Sequence, residues 1–183
     1  ALRVATPSEV PCLFRVQELR AQTYGATLLA PGKTTLRNVP DISDVHVMGK
    51  VLKGMGATID VLDEHTLEID TSQVDSWEAP YELVAKMRAS TAVMGPLLGR
   101  FHRAKIAMPG GCNLGARKID MHILGLEALG VEFDTAPLIN ASAPQGLHGT
   151  TVTLEFASVG ATENLIMLPC AHRAPRLSTT LPA

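Results

Sequence analysis

The first amphipathic stretch of the chain follows Pro40, and its pattern of polar and apolar positions predicts a helix. The apolar residues of this stretch recur three and four positions apart and form one stripe: Val47, Met48, Val51, Leu52 and Met55. Asp41 or Ser43 is the candidate cap at its start, and Gly54 with Gly56 ends it. The sequence therefore predicts a helix with one apolar face.

Short strands are predicted on both sides of this helix. Residues 34–39 carry β-branched side chains with partial alternation, and two further strands, at 57–62 and 66–69, form a hairpin. Helical segments start at Tyr81 and span residues 90–98. A second unit then repeats the order of strand, helix and hairpin, at residues 104–108, 119–129, 131–134 and 138–141. This alternation is typical of an α/β fold.

The two units share their point of transition from helix to strand. Gly56 and Gly130 each end an apolar helix and precede a strand, and their separation of about 74 residues indicates a duplicated supersecondary unit. A third unit starts with a strand at 150–154 and a helix from about Ala161, which Pro169 is expected to break after one or two turns. We therefore divide the chain into a divergent segment at 1–25, a domain of repeated α/β units at 26–167 with an incomplete third unit, and an irregular tail at 168–183.

Composition and charge exclude several classes of protein. Of the 183 residues, 46% are hydrophobic and 19% are charged, whereas a disordered chain is poor in apolar residues. The net charge of -2 and the pI near 6.3 exclude a generally basic surface for nucleic acid. No apolar run approaches the roughly 18 residues of a membrane span, and the first residues carry charges where a signal peptide is apolar. Cysteines are too few, and odd in number, for a disulfide framework. We therefore expect a cytoplasmic protein that binds neither nucleic acid nor membrane.

A cysteine in a glycine-rich loop is the strongest candidate for chemistry. Residues 109–115 place three glycines and a proline around Cys112, which excludes a helix or a strand and predicts a mobile surface loop. Basic residues are close in the sequence: Arg103, Lys105, Arg117 and Lys118. Positive charge stabilises a thiolate and anionic ligands, although a lone cysteine is also often a small buried hydrophobic residue. The spacing to Cys12 and Cys170 fits no zinc pattern, so we expect no metal.

Several stretches of the chain together resemble the enolpyruvyl transferase family, in its branch that uses UDP-N-acetylglucosamine. The resemblance covers about residues 26–167 and is strongest at 28–39, 87–90 with 95–97, 109–122 and 158–162. It implies an inside-out α/β barrel, or α-β prism, in which repeated α/β units pack their helices inside. It also implies a second such domain, which these residues do not include.

The resemblance also implies a reaction and the residues that perform it. The family transfers the enolpyruvyl group of phosphoenolpyruvate to the 3-hydroxyl of UDP-N-acetylglucosamine without a cofactor, in the first committed step of peptidoglycan precursor synthesis. By this resemblance Cys112 is the general acid that protonates the methylene carbon, and it can form a covalent adduct. Arg117 would hold a phosphate with its planar guanidinium, and Arg88 would contact an anion in the same cleft. The other matching positions contact the nucleotide sugar: Lys118, Ile119, Asp120, Met121, Phe156, Ala157, Ser158 and Val159.

Taken alone, several of these positions also fit plain structural roles. Asp120 complements the dipole at the start of a helix, and Ser158 can cap the helix that follows it. Arg88 fits a solvated surface charge, and His122 fits a structural polar residue. Only the assembled resemblance favours the functional interpretation.

The chain departs from the family pattern at two places. The family has a Lys-Asn pair that binds phosphoenolpyruvate, but residues 16–20 contain no such pair, and Glu18 would repel an anion there. Phe156 stands where the family often has a basic residue. Three hypotheses stay open: a fragment of the transferase that is inactive alone, a non-catalytic module that binds a UDP-sugar, or a 3-phosphoshikimate enolpyruvyl transferase. The loop with Cys112 and the run at 116–122 argue against the third.

Overall fold

The described part of the chain alternates short helices with short strands. The computed structural model describes residues 21–29, 31–84, 88–108, 119–135, 137–155, 158–170 and 178–180. Its α-helices are α1 (Ala21–Ala26), α2 (Ser43–Gly54), α3 (Tyr81–Val84), α4 (Met94–Phe101), α5 (Asp120–Glu127) and α6 (Val159–Cys170). Its strands are β1 (Lys33–Arg37), β2 (Thr58–Asp63), β3 (Thr66–Asp70), β4 (Arg103–Ile106), β5 (Glu132–Asp134), β6 (Ile139–Ser142), β7 (Thr151–Thr153) and β8 (Ser178–Thr180). Short 3-10 helices lie at Thr27–Leu29 and Arg88–Val93. Within these ranges, no helix combines the length and the apolar character that crossing a membrane requires.

Two three-stranded sheets in the described residues have the same arrangement. The first has the strand order β1-β3-β2 and the second β4-β6-β5, and every pairing is antiparallel. In each unit a helix, α2 or α5, lies in the chain between the two outer strands, and the last strand returns to the middle. The register places Thr35 opposite Glu68 in the first sheet and Lys105 opposite Asn140 in the second. The predicted order of strand, helix and hairpin is therefore confirmed in both units.

The third unit pairs β7 directly with β8, in parallel. Helix α6 lies between these strands in the chain, as α2 and α5 do in the first two units. In those units a middle strand separates the two strands, whereas here they are neighbours, with Val152 opposite Thr179. The described part of the third unit thus contains the outer strands and the helix of the repeat.

Helix α6 is longer than the sequence predicted. It has 12 residues, starting before the predicted position at Ala161 and continuing through Pro169. Pro169 has no N–H to donate within the helix, which disfavours the last turn. Leu165 and Leu168 are nevertheless fully buried, at 0% and 1% exposure. The prediction of a break after one or two turns was wrong, because packing of the apolar face outweighs the local preference of proline.

Helix α4 lies at the centre of the described fold. Residues 94–99 of α4 are all buried, and α4 contacts α6, β4 and the 3-10 helices. Along β6, the buried Ile139 and Ala141 alternate with the half-buried Asn140 and Ser142. One face of the second sheet therefore packs into the core.

Arg100, near the end of α4, connects this central helix to the first unit. Its guanidinium donates hydrogen bonds to the carbonyl oxygens of Leu28 (3.3 Å), Thr71 (3.0 Å) and Val74 (2.9 Å). Partial burial lowers the pKa of the Arg100 guanidinium, which still stays charged at neutral pH. Hydrogen bonds from a charged donor are among the stronger ones, so Arg100 fixes where α4 lies against the first sheet.

The start of α2 differs from the prediction of a side-chain cap. The cap position is Ile42, with no side-chain hydrogen bond to the helix, and Ser43 is already the first helical residue. Asp41 instead accepts a hydrogen bond of 2.6 Å from Nε2 of His46. The predicted caps were wrong because neither side chain is used to satisfy the N–H groups at the helix start.

Two further helical segments also differ from the prediction. Helix α1 begins at Ala21, inside the segment expected to be divergent, and Tyr24 is buried in the core. The helical segment predicted at 90–98 is divided between the 3-10 helix Arg88–Val93 and α4. Pro96 falls in the first turn of α4, where a proline is tolerated, so the α-helix can begin only just before it.

Candidate functional site

The structure describes some of the predicted site residues and not others. Cys112, Arg117, Lys118, Phe156 and Ala157 lie outside the described residues, as does the loop predicted to be mobile at 109–115. Arg88 is the first residue of the 3-10 helix Arg88–Val93, and the structure describes the backbone of Arg88 but not its side chain. The positions with described side chains are Ile119, Asp120, Met121, Ser158 and Val159.

Three of these residues lie at the start of α5. Ile119 occupies the cap position and is 9% exposed, and its carbonyl accepts hydrogen bonds from the N–H groups of His122 (2.9 Å) and Ile123 (3.1 Å). Asp120 is exposed in the first turn and Met121 is half-buried. A carboxylate there complements the positive end of the helix dipole. The structural interpretation of Asp120 therefore holds whether or not it also binds a ligand.

The other two residues lie at the start of α6. The Ser158 hydroxyl accepts a hydrogen bond from the N–H of Ala161 at 3.4 Å, and the Ser158 carbonyl accepts bonds from the N–H and hydroxyl of Thr162. Ser158 is thus the N-cap of α6. Val159 is 59% exposed, so its backbone and side chain are accessible from outside.

The starts of α5 and α6 lie side by side. The ring of His122, in the first turn of α5, lies against Gly160, in the first turn of α6. A Cβ added to Gly160 would be 3.4 Å from Cε1 and 3.5 Å from Nε2 of the His122 ring. One turn further along, Gly125 faces Leu165, and a Cβ there would be 2.8 Å from both terminal methyl carbons. Glycine at these positions lets the two helices approach closely, which brings residues 119–121 next to residues 158–159.

A buried asparagine joins this pair of helices to α4. Asn164 is 0% exposed. Its Oδ1 accepts from the N–H of Gly95 (2.9 Å), and its Nδ2 donates to the carbonyl of Thr91 (3.0 Å) and to Nδ1 of His122 (2.9 Å). Asn164, in the second turn of α6, therefore joins this helix to the first turns of α4 and α5. The starts of α5 and α6 lie at a common edge, where positive helix ends suit an anionic ligand.

Sequence reasoning missed Asn164 and gave His122 only a structural role. One signal was present: Asn164 is the last polar residue before the apolar run 165–168, and Gly95 lies next to Pro96 in a segment rich in small residues. A buried amide needs partners for its donors and its acceptor. The sequence does not show which backbone groups supply them.

Two surface concavities lined by described residues lie away from these helix ends. One of about 330 Å³ and another of about 850 Å³ share Trp77, Arg103 and Ser142 at the second sheet. The Arg103 guanidinium lies 5.8 Å from the centre of the Trp77 ring. Neither concavity includes a predicted site residue. Among the described residues there is also no group of three or more metal-ligating side chains.

A family model matches most of the chain. It is described as EPSP synthase (3-phosphoshikimate 1-carboxyvinyltransferase) and matches residues 24–181. The chain is also similar in fold to the enolpyruvyl transferase NikO from Streptomyces tendae (TM-score 0.66, 20% identity, 81% of this chain and 35% of that one). An EPSP synthase from Acinetobacter baumannii gives a TM-score of 0.59 at 14% identity, over 81% of this chain and 35% of that one. These structures support an α/β fold of the same kind.

Curated relatives are similar at higher identity. The chain is 50% identical over 143 residues to the UDP-N-acetylglucosamine 1-carboxyvinyltransferase of Gluconobacter oxydans (strain 621H), which covers 78% of this chain and 34% of that protein. It is 45% identical over 150 residues to the protein of the same name from Wolbachia sp. subsp. Brugia malayi (strain TRS), over 78% of this chain and 35% of that protein. The chain thus spans about a third of the length of these relatives. The resemblance found in the sequence is confirmed, and the chain belongs to the EPSP synthase family of enolpyruvyl transferases.

Proposed function

We propose that the chain is the part of a UDP-N-acetylglucosamine 1-carboxyvinyltransferase that holds the nucleotide sugar and supplies the general acid. The observation that carries this proposal is the contact between the first turns of α5 and α6 through His122, Gly160 and Asn164. That contact brings together the described residues that resemblance assigns to the nucleotide sugar: Ile119, Asp120, Met121, Ser158 and Val159. Relatives that carry this enzyme name at 45–50% identity support the same substrate.

The chemistry of the helix ends agrees with a nucleotide diphosphate sugar. A diphosphate is an anion, and exposed N–H groups at a helix start bind anions well. Asp120 adds an exposed carboxylate that can accept hydrogen bonds from sugar hydroxyls or from a base. The proposed partners are therefore two small molecules, UDP-N-acetylglucosamine and phosphoenolpyruvate.

Cys112 supplies the acid in this proposal. The segment that contains Cys112, Arg117 and Lys118 leads directly into α5, whose first residue is Asp120. In the reaction the thiol proton goes to the methylene carbon of phosphoenolpyruvate, and the 3-hydroxyl of the sugar gives its proton to a carboxylate base as its oxygen bonds to C2; by the resemblance that base is the aspartate of the second domain. Loss of a proton from that methyl carbon and departure of phosphate then restore the double bond. Arg117 and Arg88 hold the anionic groups during these steps.

The same proposal includes the arrangement of the repeated units and the cellular location of the protein. We place the chain in an inside-out α/β barrel, supported by the central helix α4 and by two units of identical strand order. The domain is proposed to span residues 26–167 after a divergent segment, and its third unit continues into residues 168–183, where the end of α6 and strand β8 lie. A cytoplasmic location agrees with a mechanism that needs Cys112 as a reduced thiol.

A second candidate is a module that binds a UDP-sugar without catalysis. Glu18 and its neighbours occupy the place of the family's Lys-Asn pair, and that difference favours binding without transfer. A 3-phosphoshikimate transferase has weaker support. The family model carries that name, whereas curated relatives of 45–50% identity carry the UDP-N-acetylglucosamine name.

Labelling with fosfomycin tests the role of Cys112. Fosfomycin is an epoxide that mimics phosphoenolpyruvate; attack by the thiolate forms a carbon–sulfur bond, opens the ring, and leaves an alkoxide that takes up a proton. In the presence of UDP-N-acetylglucosamine, we expect mass spectrometry to find the adduct on Cys112 and to find none in the variant Cys112→Ala. An adduct on Cys12 or Cys170 instead would contradict the assignment.

A further inference from the structure

The side chain of Asn164 forms hydrogen bonds with three different structural elements. Its partners are Gly95 at the start of α4, Thr91 in the 3-10 helix Arg88–Val93, and His122 in the first turn of α5. Asn164 itself lies on α6 and is fully buried. Each of these elements except α4 also carries residues that the proposed function assigns to substrate binding. We infer that Asn164 is a positioning residue, which fixes the tautomer of His122 and the relative placement of the nucleotide-sugar contacts.

Two backbone groups determine which way the amide points. The N–H of Gly95 can only donate, so the atom 2.9 Å away must be the carbonyl oxygen Oδ1. The carbonyl of Thr91 can only accept, so the atom 3.0 Å away must be the nitrogen Nδ2. A flipped amide would place two donors together at Gly95 and two acceptors together at Thr91. The orientation of Asn164 therefore does not depend on His122.

This orientation determines the protonation of the His122 ring. Nδ2 of Asn164 presents a hydrogen to Nδ1 of His122 at 2.9 Å, so Nδ1 accepts and carries no hydrogen of its own. A neutral imidazole with a bare Nδ1 has its hydrogen on Nε2. Nε2 and Cε1 together form the side of the ring that faces Gly160, at the start of α6. Asn164 thus makes His122 a donor at the edge where α5 and α6 present their proposed contacts.

The inference takes the identity of the ligand from the proposed function. The tautomer of His122 follows from the hydrogen bonds alone and does not depend on that function. A purely structural asparagine with the same hydrogen bonds would set the same tautomer but would leave the affinity for the ligand unchanged. A positioning asparagine sets the tautomer and affects affinity through it. The tautomer therefore shows whether the hydrogen bond to His122 exists, and the affinity shows whether ligand binding depends on it.

Nitrogen NMR of the full chain, without ligand and at neutral pH, tests the tautomer directly. We expect the His122 signals, assigned by their loss in His122→Phe, to show a bare Nδ1 and a protonated Nε2. In Asn164→Asp a carboxylate faces the ring and can accept but not donate, so we expect the hydrogen to move to Nδ1. A wild-type chain with hydrogen on Nδ1 of His122 overturns the inference, whatever the ligand.

Calorimetric titration with UDP-N-acetylglucosamine tests the consequence for binding. We expect Asn164→Asp and His122→Phe each to weaken binding by about tenfold or more, and the double variant to be no weaker than the weaker single one. Asn140→Asp is the matched control, because Asn140 lies on β6, away from the two helix starts, and its side chain donates a long bond of 3.5 Å to the carbonyl of Leu138. It should bind like the wild type.

The two proposals fail in different ways. If the wild type binds no UDP-N-acetylglucosamine while His122 has the expected tautomer, the proposed function is wrong. If the wild type binds and both His122→Phe and Asn164→Asp bind equally well, Asn164 is structural and the inference is wrong. Should Asn164→Asp fail to fold, which a proton–nitrogen spectrum with collapsed signal dispersion would reveal, the wild-type tautomer and His122→Phe still decide.

Discussion

Replacing Gly95 by alanine is expected to lower the free energy of unfolding by about 2–4 kcal/mol. An alanine Cβ at this position would lie 2.6 Å from the backbone oxygen of Asn164 and 2.8 Å from its Oδ1. The nearer atom belongs to the backbone of α6 and cannot rotate away. The clash would push α4 from α6 and break the hydrogen bond from the Gly95 N–H to Asn164. Urea unfolding of both chains, followed by circular dichroism, measures the difference.

Gly49→Ala is the matched control for this experiment. Gly49 also lies within a helix, α2, but a Cβ there would be 3.6 Å from Cδ1 of Ile59, an ordinary contact. Alanine is favoured over glycine inside a helix, so we expect Gly49→Ala to be neutral or stabilising by up to about 1 kcal/mol. Equal stability of the two variants would contradict the close approach of α4 and α6.

A polypeptide of these 183 residues is expected to show no measurable enolpyruvyl transfer on its own. The chain spans about a third of the length of its curated relatives, and the resemblance places the catalytic aspartate and further arginines in a second domain. Proximity and orientation of reacting groups can lower a barrier by roughly 7–11 kcal/mol, and this contribution is lost when only part of the cleft is present. By the resemblance, Glu18 stands where the family has its Lys-Asn pair, and we expect it to weaken phosphoenolpyruvate binding further.

The assay is phosphate release from phosphoenolpyruvate with UDP-N-acetylglucosamine. The purified chain is compared with Cys112→Ala, and we expect the same background rate from both. Release that disappears in Cys112→Ala would show that these residues form a complete catalyst. In that case the importance assigned to the second domain would be wrong.

The repeat and the order of its elements along the chain could be predicted because they depend on local patterns. Gly56 and Gly130 both have a positive φ, at 102° and 96°, which glycine adopts without strain. Each therefore ends its helix at a position that the sequence marks directly. The apolar stripe of α2 was equally visible, and Val51 and Leu52 are fully buried.

The end of α6 and the start of α2 could not be predicted from local preference. Pro169 predicts the end of a helix, but Leu165 and Leu168 hold the last turn in the core. Asp41 and Ser43 predict a cap, but Asp41 bonds to His46 instead. In both places contacts made by the folded chain decide the outcome, and a single sequence does not contain them explicitly.

The candidate site was predicted in part. The resemblance assigned residues 119–121 and 158–159 to the nucleotide sugar, and they lie at two helix starts about 38 positions apart in the chain. Helices that share a ligand site are expected to lie close together. The structure supplies that contact through His122, Gly160 and Asn164. The role of Asn164 could not be read from the sequence, since its partners include backbone groups of Gly95 and Thr91, which have no side-chain signature.

The most direct test of the account is a proton–nitrogen NMR titration of the chain with two ligands, UDP-N-acetylglucosamine and 3-phosphoshikimate. The account predicts that UDP-N-acetylglucosamine shifts the backbone amide signals of residues 119–121 and 158–159, at the starts of α5 and α6, and that 3-phosphoshikimate does not. Equal shifts with 3-phosphoshikimate, or shifts confined to the concavity around Trp77 and Arg103, would contradict the proposed nucleotide-sugar site.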